Sequence, residues 1–229
     1  MRLITLNLRH GGGRHAPALL AGLLALEGDV LVLTEHRNNP VGERLRTGLA
    51  AAGLVHQAVS HAAPRANAIL VAAREPFRPL LRPALGFDRA RLFSARFAAF
   101  ELIAVHLPNL AAKVPHWEAL LRLPHRRRPR VLAGDFNTGR HPADAPGYRF
   151  RCAEHMARLE AKGWVDAWRR LHPDGREFSW YSHRGRGFRL DHVFLSPPLA
   201  PALRGAAFAH GVRERGFSDH SALVVELAL

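Results

Sequence analysis

The sequence predicts a single mixed α/β domain that spans residues 1–229. In the first half, strand-like apolar runs alternate with helical periodicity, whereas the middle and the end run strand after strand. This order favours antiparallel pairs inside mixed sheets that pack between helices, rather than a purely parallel doubly wound sheet. No linker or repeat separates two halves, and 48% of the residues are hydrophobic, so one substantial core can form.

Short runs of aliphatic and aromatic residues, bounded by polar or turn residues, predict the strands. They lie at 2–7, 30–34, 54–60, 68–73, 91–97, 100–106, 130–134, 178–181, 189–195, 203–210 and 222–227. Apolar residues at three- and four-residue spacing predict the helices. These lie at 15–26, 42–52, 113–123 and 150–162.

The first predicted helix imitates a secretory signal, because it is apolar throughout and follows Arg14. It is shorter than the roughly 20 residues that cross a bilayer, and a strand precedes it. Pro17 near its start is typical of the first turn of a buried helix. We therefore expect neither an export signal nor a membrane span.

The formal net charge of +14 comes almost entirely from arginine, because Lys113 and Lys162 are the only lysines. Such charge attracts polyanions, and guanidinium groups match phosphate oxygens. Nucleic acid is the obvious partner, although much of this charge can simply be solvated surface. Cys152 is the only cysteine, which excludes an intramolecular disulfide and fits a cytoplasmic location.

Polar residues that suit a metal or phosphate site stand at the ends of several predicted strands. They are Asn7, Glu35, His106, Asn109, Asp135, Asn137, Asp191 with His192, and Asp219 with His220. Asp135 and Asn137 lie two residues apart, so both face the same way and can hold one water, metal or phosphate. Each residue alone also has a structural interpretation, such as a turn at Gly134 or an ion pair between Glu35 and Arg37.

Together these residues resemble the motifs of the endonuclease/exonuclease/phosphatase superfamily. The matching segments are Asn7, Leu33-Thr34-Glu35, His106-Leu107-Pro108-Asn109, Gly134-Asp135-Phe136-Asn137, Arg189-Leu190-Asp191-His192 and Ser218-Asp219-His220. Segments 163–169 and 178–181 are similar to the exonuclease III and apurinic endonuclease branch. The resemblance covers essentially the whole chain. It implies a four-layer α/β sandwich of two mixed sheets, with the active site at one edge between them.

The resemblance also implies a metal-dependent hydrolase. Asn7, Glu35 and Asp219 would hold Mg²⁺, a hard cation that prefers oxygen ligands and for which Mn²⁺ can substitute. The metal would polarise the scissile phosphate. Asp135 and Asn137 would orient and deprotonate the attacking water.

On the same resemblance, His220 would donate a hydrogen bond or proton to the phosphate and would be oriented by Asp191. His106 stands where the apurinic branch has a tyrosine and other branches have a histidine that acts as a second acid. The following Pro108-Asn109 belongs to the apurinic pattern, and Asn109 would contact the phosphate. Two departures are Arg9, where an acidic residue is expected, and Asn67, where glycine is more usual.

Arginine clusters provide candidate phosphate contacts. Arg184, Arg186 and Arg189 lie in a predicted hairpin over the site, where Gly185 and Gly187 allow close backbone approach. A second cluster contains Arg37, Arg44 and Arg46. The run Arg126–Arg128 is expected to be a solvated loop, because Asp135 marks the opposite end of its strand.

The implied chemistry is phosphodiester hydrolysis, and the basic charge favours nucleic acid over a small neutral ligand. Among nucleic acids, we expect DNA rather than RNA as the substrate. An endonuclease or exonuclease with a role in repair fits this prediction. The alternative is a phosphatase or a phospholipid or small-molecule phosphodiesterase of the same superfamily. A non-catalytic nucleic-acid-binding protein is less favoured, because the catalytic set is complete. We expect a monomer.

Overall fold

The computed structural model describes residues 1–63, 65–81, 88–124 and 128–229. Its strands are β1 (Arg2–Asn7), β2 (Val30–His36), β3 (His56–Val59), β4 (Ala68–Ala73), β5 (Arg78–Leu80), β6 (Leu92–Arg96), β7 (Glu101–His106), β8 (Arg130–Asp135), β9 (Val165–Asp166), β10 (Trp180–Tyr181), β11 (Gly187–Phe188), β12 (Asp191–Leu195), β13 (Leu203–Ala209) and β14 (Ala222–Leu227). Its α-helices are α1 (Ala16–Leu24), α2 (Pro40–Ala51), α3 (Val114–Leu121), α4 (Ala153–Ala161), α5 (Ala167–Leu171) and α6 (Gly211–Glu214). Short 3-10 helices lie at Gly13–His15, Leu110–Lys113 and Ala200–Ala202.

Most of these strands form two six-stranded sheets. The first has the order β13-β14-β1-β2-β4-β3 and the second the order β5-β6-β7-β8-β12-β9. Among the described residues, each sheet has one parallel pair, β1 with β2 and β7 with β8, and its other pairs are antiparallel. The prediction of mixed sheets is confirmed.

The central strands are buried on both faces, because successive side chains of a strand point to opposite sides. In β1, Leu3 joins the apolar core between the sheets, whereas Ile4 and Leu6 join the core beneath α1 and α2. The outer face of the second sheet packs in the same way against α3 and α4. The order helix, sheet, sheet, helix confirms the predicted four-layer sandwich.

Sequence periodicity locates the long elements and misses the short ones. The strands predicted at 2–7, 68–73 and 222–227 are confirmed with the same bounds. The helix predicted at 15–26 is α1, whose apolar face is buried. Strands β5, β9 and β11 contain only two or three residues, which is too short for a visible period. In the described part of the chain, no helix has the length and apolar character needed to cross a membrane.

Candidate active site

The sheet topology brings the predicted site residues to one edge of the sandwich. In the first sheet, β1 ends at Asn7 and the parallel β2 carries Glu35 near its end. In the second sheet, His106 pairs with Asp135 across the parallel strands β7 and β8. Strand β12 runs the other way, so its first residue, Asp191, also pairs with Asp135. The chain therefore assembles one site from residues that are distant in sequence.

A cleft of about 630 Å³ opens at this edge. The predicted residues that line it are Asn7, Glu35, His106, Asn109, Asp135, Asn137, Asp219 and His220. Asp191 lies behind the wall of the cleft, where it is fully buried against His220. The structure thus brings together the catalytic residues and metal ligands expected from the motifs.

Asp135 accepts three hydrogen bonds at the base of the cleft. The backbone N–H of Asn137 donates to its Oδ1 at 2.8 Å, and the side-chain amides of Asn7 and Asn137 donate to its Oδ2 at 3.1 and 3.2 Å. Burial and the neighbouring charge of Asp191 raise the pKa of Asp135 to about 7. A carboxylate with this pKa can accept a proton from water near neutral pH.

The loop after β8 holds Asn137 through unusual backbone geometry. Asn137 has φ 46°, in the left-handed region. Gly134 has φ 144°, and a Cβ there would lie 1.9 Å from the carbonyl oxygen of Val105, so only glycine fits. Asn137 Nδ2 also donates to the carbonyl oxygen of Leu107 at 2.8 Å, and Lys113 donates to the carbonyl oxygen of Asn137. These contacts fix the amide beside Asp135.

Glu35 faces the cleft from β2 with φ 56°. Its Oε1 accepts from Asn7 Nδ2 at 3.3 Å, and its Oε2 accepts from the backbone N–H of His10 at 2.8 Å. Burial raises the pKa of Glu35, but His106, His10 and Asn7 together outweigh burial and lower that pKa. Glu35 is therefore ionised near neutral pH and suited to hold a cation.

Asn7, which the sequence predicts as a metal ligand, contacts two carboxylates through its side-chain amide. Its amide nitrogen donates to both Glu35 and Asp135, and its amide oxygen accepts from the backbone N–H of Arg9 at 2.9 Å. The amide oxygen, which is the atom that would bind a metal, already accepts one hydrogen bond from Arg9. Asn7 connects Glu35 to Asp135 and fixes their spacing.

His106 is buried beside Glu35, with Nε2 3.7 Å from Glu35 Oε1. Arg91 Nη1 lies 3.3 Å from His106 Nδ1. Because a guanidinium group only donates, Nδ1 accepts and the ring proton is on Nε2. Burial lowers the pKa of His106 to about 4, so the ring is neutral near pH 7. These observations favour a hydrogen-bond donor at this position over a second acid.

His220 Nδ1 lies 2.7 Å from Asp191 Oδ2. Burial lowers the pKa of His220, but the bond to Asp191 and the charges of nearby carboxylates outweigh burial and raise it to about 10. The imidazolium therefore stays protonated at neutral pH and can donate to an anionic substrate. Asp219 lines the same wall, where its Oδ2 accepts from Trp180 Nε1 at 3.1 Å.

The predicted hairpin beside the site is confirmed as β10 and β11. Ser182 and His183, at the end of β10, line the cleft. Arg184 and Arg186 are exposed in the same turn. Asn109 is exposed at the rim of the cleft, as a phosphate contact would require.

The predicted phosphate contact of Arg189 is wrong, because its side chain is fully buried. The guanidinium group donates to both oxygens of Asp144, at 2.8 and 3.0 Å, and to both oxygens of Asp166, at 3.1 and 2.8 Å. Burial lowers the pKa of Arg189, but the two carboxylates outweigh burial and raise that pKa above its ordinary value. Arg169 also donates to Asp144, and His192 Nδ1 lies 3.2 Å from Asp166 Oδ2. This buried network joins the loop after β8 to β9 and β12.

Of the arginine run before β8, the structure describes only Arg128. Arg126 and Arg127 fall outside the described residues. The side chain of Arg128 is 62% exposed and lies 3.6 Å from Glu101, at the start of β7 and hence at the opposite end from His106. This position agrees with a solvated loop.

Sequence reasoning missed the aromatic wall of the cleft. The rings of Tyr148, Phe150 and Phe188 pack edge to face, with centroids 4.9 to 5.7 Å apart. Trp180 packs on Phe188 at 5.8 Å, and all four residues line the cleft. Tyr148 and Phe150 lie in the irregular loop between β8 and α4, where no periodicity points to the site. Arg91 was missed because it lies directly before β6, outside every motif.

The donor set of the cleft fits a hard divalent cation. Glu35 and Asp219 offer carboxylate oxygens, which Mg²⁺ prefers. The Oδ1 of Asp191 is buried and has no hydrogen-bond partner among the described residues. Burial is the main cause of the raised pKa of Asp135, and repulsion from the neighbouring carboxylate of Asp191 raises it further. A bound cation would offset this repulsion.

The comparison with protein families agrees with this geometry. A model of the Endonuclease/Exonuclease/phosphatase family matches residues 4–220. The chain belongs to the endonuclease/exonuclease/phosphatase family. The match includes every motif segment from Asn7 to His220. Together with the fold, membership of this family identifies the chain as a hydrolase that acts on phosphate ester bonds.

Solved structures share the fold over 100% of both chains. They include a 3′-5′ exonuclease, NExo, from Neisseria meningitidis (TM-score 0.82, 22% identity) and an AP endonuclease from Archaeoglobus fulgidus (TM-score 0.80, 19% identity). A third is the 3′ phosphatase NExo from Neisseria bound to a product DNA hairpin (TM-score 0.78, 21% identity). Recombination repair protein 1 of Drosophila melanogaster is 26% identical over 165 residues, which are 60% of this chain and 24% of that protein. The match therefore spans about a quarter of that relative.

Proposed function

We propose that this chain is a Mg²⁺-dependent phosphodiesterase that hydrolyses phosphodiester bonds in DNA. The observation that carries the proposal is the convergence of Asp135 and the Asp191–His220 pair on one cleft. Asp135 has a pKa near neutrality and suits a base, whereas His220 stays protonated and suits a hydrogen-bond donor.

Asp135 accepts the proton of the attacking water. Its Oδ1 is held by the backbone N–H of Asn137, which leaves the side-chain amide of Asn137 beside the second oxygen. The amide and the carboxylate orient the water for attack on phosphorus, and this orientation lowers the entropic cost of the reaction.

His220 donates a hydrogen bond or proton from Nε2 to a phosphate oxygen as negative charge builds up. Asp191 binds Nδ1 and fixes the direction of the ring. The Nε2 proton of neutral His106 supplies a second donor on the other side of the cleft, and exposed Asn109 contacts the phosphate at the rim. Preorganised donors of this kind stabilise charge that develops in the transition state.

Glu35 and Asp219 would hold Mg²⁺, for which Mn²⁺ can substitute. The ion, when bound, supplies Lewis-acid polarisation of the phosphate and stabilisation of the leaving oxygen. Asn7 keeps Glu35 and Asp135 at a fixed spacing on either side of its amide nitrogen. This spacing separates the metal ligand from the base.

Three observations support DNA as the substrate. The net charge of +14 favours a polyanion, and Arg184 and Arg186 are exposed beside the cleft. The similar proteins include an AP endonuclease, a 3′-5′ exonuclease and a recombination repair protein. We further propose that the chain acts as a monomer in the cytoplasm, where its only cysteine stays reduced.

A panel of substrates tests the proposal. Purified protein is incubated with supercoiled plasmid and with abasic, intact and single-stranded DNA and RNA oligonucleotides, in Mg²⁺, Mn²⁺ or EDTA. We expect cleavage of DNA that EDTA abolishes and that Glu35→Gln reduces strongly. Absence of cleavage of every nucleic acid would exclude the proposed substrate class.

The second candidate function is a phosphatase that acts on the 3′ end of DNA. It is favoured by the likeness to a 3′ phosphatase bound to a product DNA hairpin. Oligonucleotides with a 3′ phosphate, followed by release of inorganic phosphate, distinguish this activity from cleavage of the chain. Phosphorylated small molecules and sphingomyelin complete the panel, because the same chemistry acts on them in this superfamily.

A further inference from the structure

The turn after β1 has an unusual backbone conformation. Five consecutive residues, from Arg9 to Gly13, have positive φ angles of 51°, 57°, 80°, 75° and 48°. Arg9 and His10 are not glycine, so the left-handed conformation is strained for both residues. Strained backbone of this kind is concentrated at functional sites. The contact that this turn creates is therefore a candidate for function.

The turn places His10 against Glu35. The backbone N–H of His10 donates to Glu35 Oε2 at 2.8 Å, and the imidazole Nδ1 lies 2.9 Å from the same oxygen. The other oxygen of Glu35, Oε1, faces Asn7 and His106 inside the cleft. Oε1 of Glu35 therefore contacts residues inside the cleft, whereas Oε2 contacts His10.

The side-chain amide of Asn67 also contacts His10. Its Nδ2 and Oδ1 lie 3.2 and 3.4 Å from His10 Nδ1. Arg37 Nε donates to Asn67 Oδ1 at 3.2 Å and holds that amide in place. A carboxylate oxygen, an imidazole nitrogen and an amide group therefore meet at the edge of the cleft.

We propose that His10 supplies an imidazole nitrogen to the divalent ion that Glu35 holds, so that this site binds Mn²⁺ and other transition metals more tightly than carboxylates alone would. The inference rests on the metal dependence in the proposed function. Adjacent ligands at about 2.1 Å from an octahedral ion lie about 3 Å apart, which matches the distance of 2.9 Å between Nδ1 and Oε2. An imidazole ligand favours transition metals over Mg²⁺.

An ion pair between His10 and Glu35 explains this turn less well than a metal site does. The side chain of His10 is 62% exposed, and a solvent-exposed ion pair contributes little to stability. Such a pair alone offsets little of the strain of two left-handed residues, which the backbone hydrogen bonds from Arg9 to Asn7 and from His10 to Glu35 also help to hold. Exposure is instead compatible with a metal that exchanges with solvent and retains bound water.

The test measures Mn²⁺ binding in the absence of substrate. The loss of the free Mn²⁺ signal in electron paramagnetic resonance gives the affinity, and electron spin-echo modulation detects a nitrogen ligand. His10→Gly removes the imidazole but keeps the backbone N–H and suits a positive φ. We expect Mn²⁺ affinity to fall by about tenfold or more and the nitrogen coupling to disappear, while Mg²⁺ affinity, measured by competition, changes by less than about threefold.

His183→Ala is the matched control, because His183 is an exposed histidine that lines the same cleft from the hairpin. It should leave both the affinity and the nitrogen coupling unchanged. Unchanged Mn²⁺ affinity and coupling in His10→Gly would overturn the proposal. So would loss of the coupling in His106→Gln alone, because the nitrogen ligand would then be His106.

The same measurements separate this inference from the proposed function. Cleavage of DNA without a nitrogen ligand from His10 overturns only the inference. Nitrogen coupling that depends on His10, with no cleavage of any nucleic acid, supports the inference and overturns only the proposed substrate. If His10→Gly loses its folded circular dichroism spectrum, His10→Asn replaces it, because asparagine tolerates the left-handed region and lacks an imidazole.

Discussion

His220 and Asp191 form a 2.7 Å contact between the two sheets of the sandwich. Asp191 is the first residue of β12 in the second sheet, and His220 precedes β14 in the first. The pair therefore forms only when the sheets pack face to face. Its charged state depends on the fold, because it is Asp191 that keeps the buried imidazole protonated.

Replacing Asp191 by asparagine should lower activity by about 10²- to 10⁴-fold at neutral pH, the size of a lost acid or base contribution. The substituted side chain would keep the shape but remove the charge that raises the pKa of His220 to about 10. Because His220 must be protonated to donate, the alkaline decline in rate should move to lower pH in the variant. The measurement is kcat from pH 6 to 10, and an unchanged alkaline limb would contradict the assigned role.

Replacing Arg189 by methionine should destabilise the protein by about 3–5 kcal/mol, because it leaves Asp144 and Asp166 buried and without their main partner. Chemical denaturation measures the free energy of unfolding. Arg186→Met is the matched control at an exposed arginine of the same segment, and it should change stability by less than about 0.5 kcal/mol. Equal stability of the two variants would show that Arg189 is not a structural residue.

Stability should depend on pH through Lys113, whose pKa burial lowers from 10.5 to about 8. Between these values the unfolded chain holds a proton that the folded chain has released, so stability rises with pH. Relative to Lys113→Met, the wild type should gain about 3 kcal/mol between pH 8 and pH 10.5. Urea denaturation at several pH values checks this difference. Parallel pH profiles for the two proteins would contradict it.

Arg184 and Arg186 should contribute to the salt dependence of DNA binding. If each neutralises one phosphate, each alanine substitution should reduce the slope of log affinity against log salt concentration by about 1. Fluorescence anisotropy with labelled DNA from low to high salt gives the slope. Arg204→Ala is the control, because Arg204 is exposed and lies outside the lining of the cleft. An unchanged slope in Arg184→Ala and Arg186→Ala would assign phosphate binding elsewhere.

The sequence was sufficient to predict the fold class and the polar strand-end residues that line the cleft. Strand-end polar residues such as Glu35 and Asp135 stand out because they interrupt apolar runs. Their convergence then follows from the parallel pairs β1 with β2 and β7 with β8, whose ends meet at one edge. At these positions, the sequence pattern and the sheet topology therefore point to the same site.

The roles of Asn7 and Arg189 could not be predicted from local pattern. The direction of the Asn7 amide depends on the backbone N–H of Arg9, which is set by a left-handed turn. Arg189 resembles a loop arginine in sequence, and only the fold reveals Asp144 and Asp166 on either side of it. Ion pairs between distant segments produce no periodic pattern in the sequence.

The central claim, that this chain hydrolyses DNA with Asp135 as the base, is tested most directly by single-turnover cleavage. Wild type and Asp135→Asn are compared in excess over a labelled oligonucleotide in Mg²⁺, with DNA binding measured in parallel by anisotropy. We predict that the variant binds DNA normally and cleaves it about 10³-fold more slowly. Cleavage by the variant within about tenfold of the wild-type rate would contradict the account, because an amide cannot accept the proton of the attacking water.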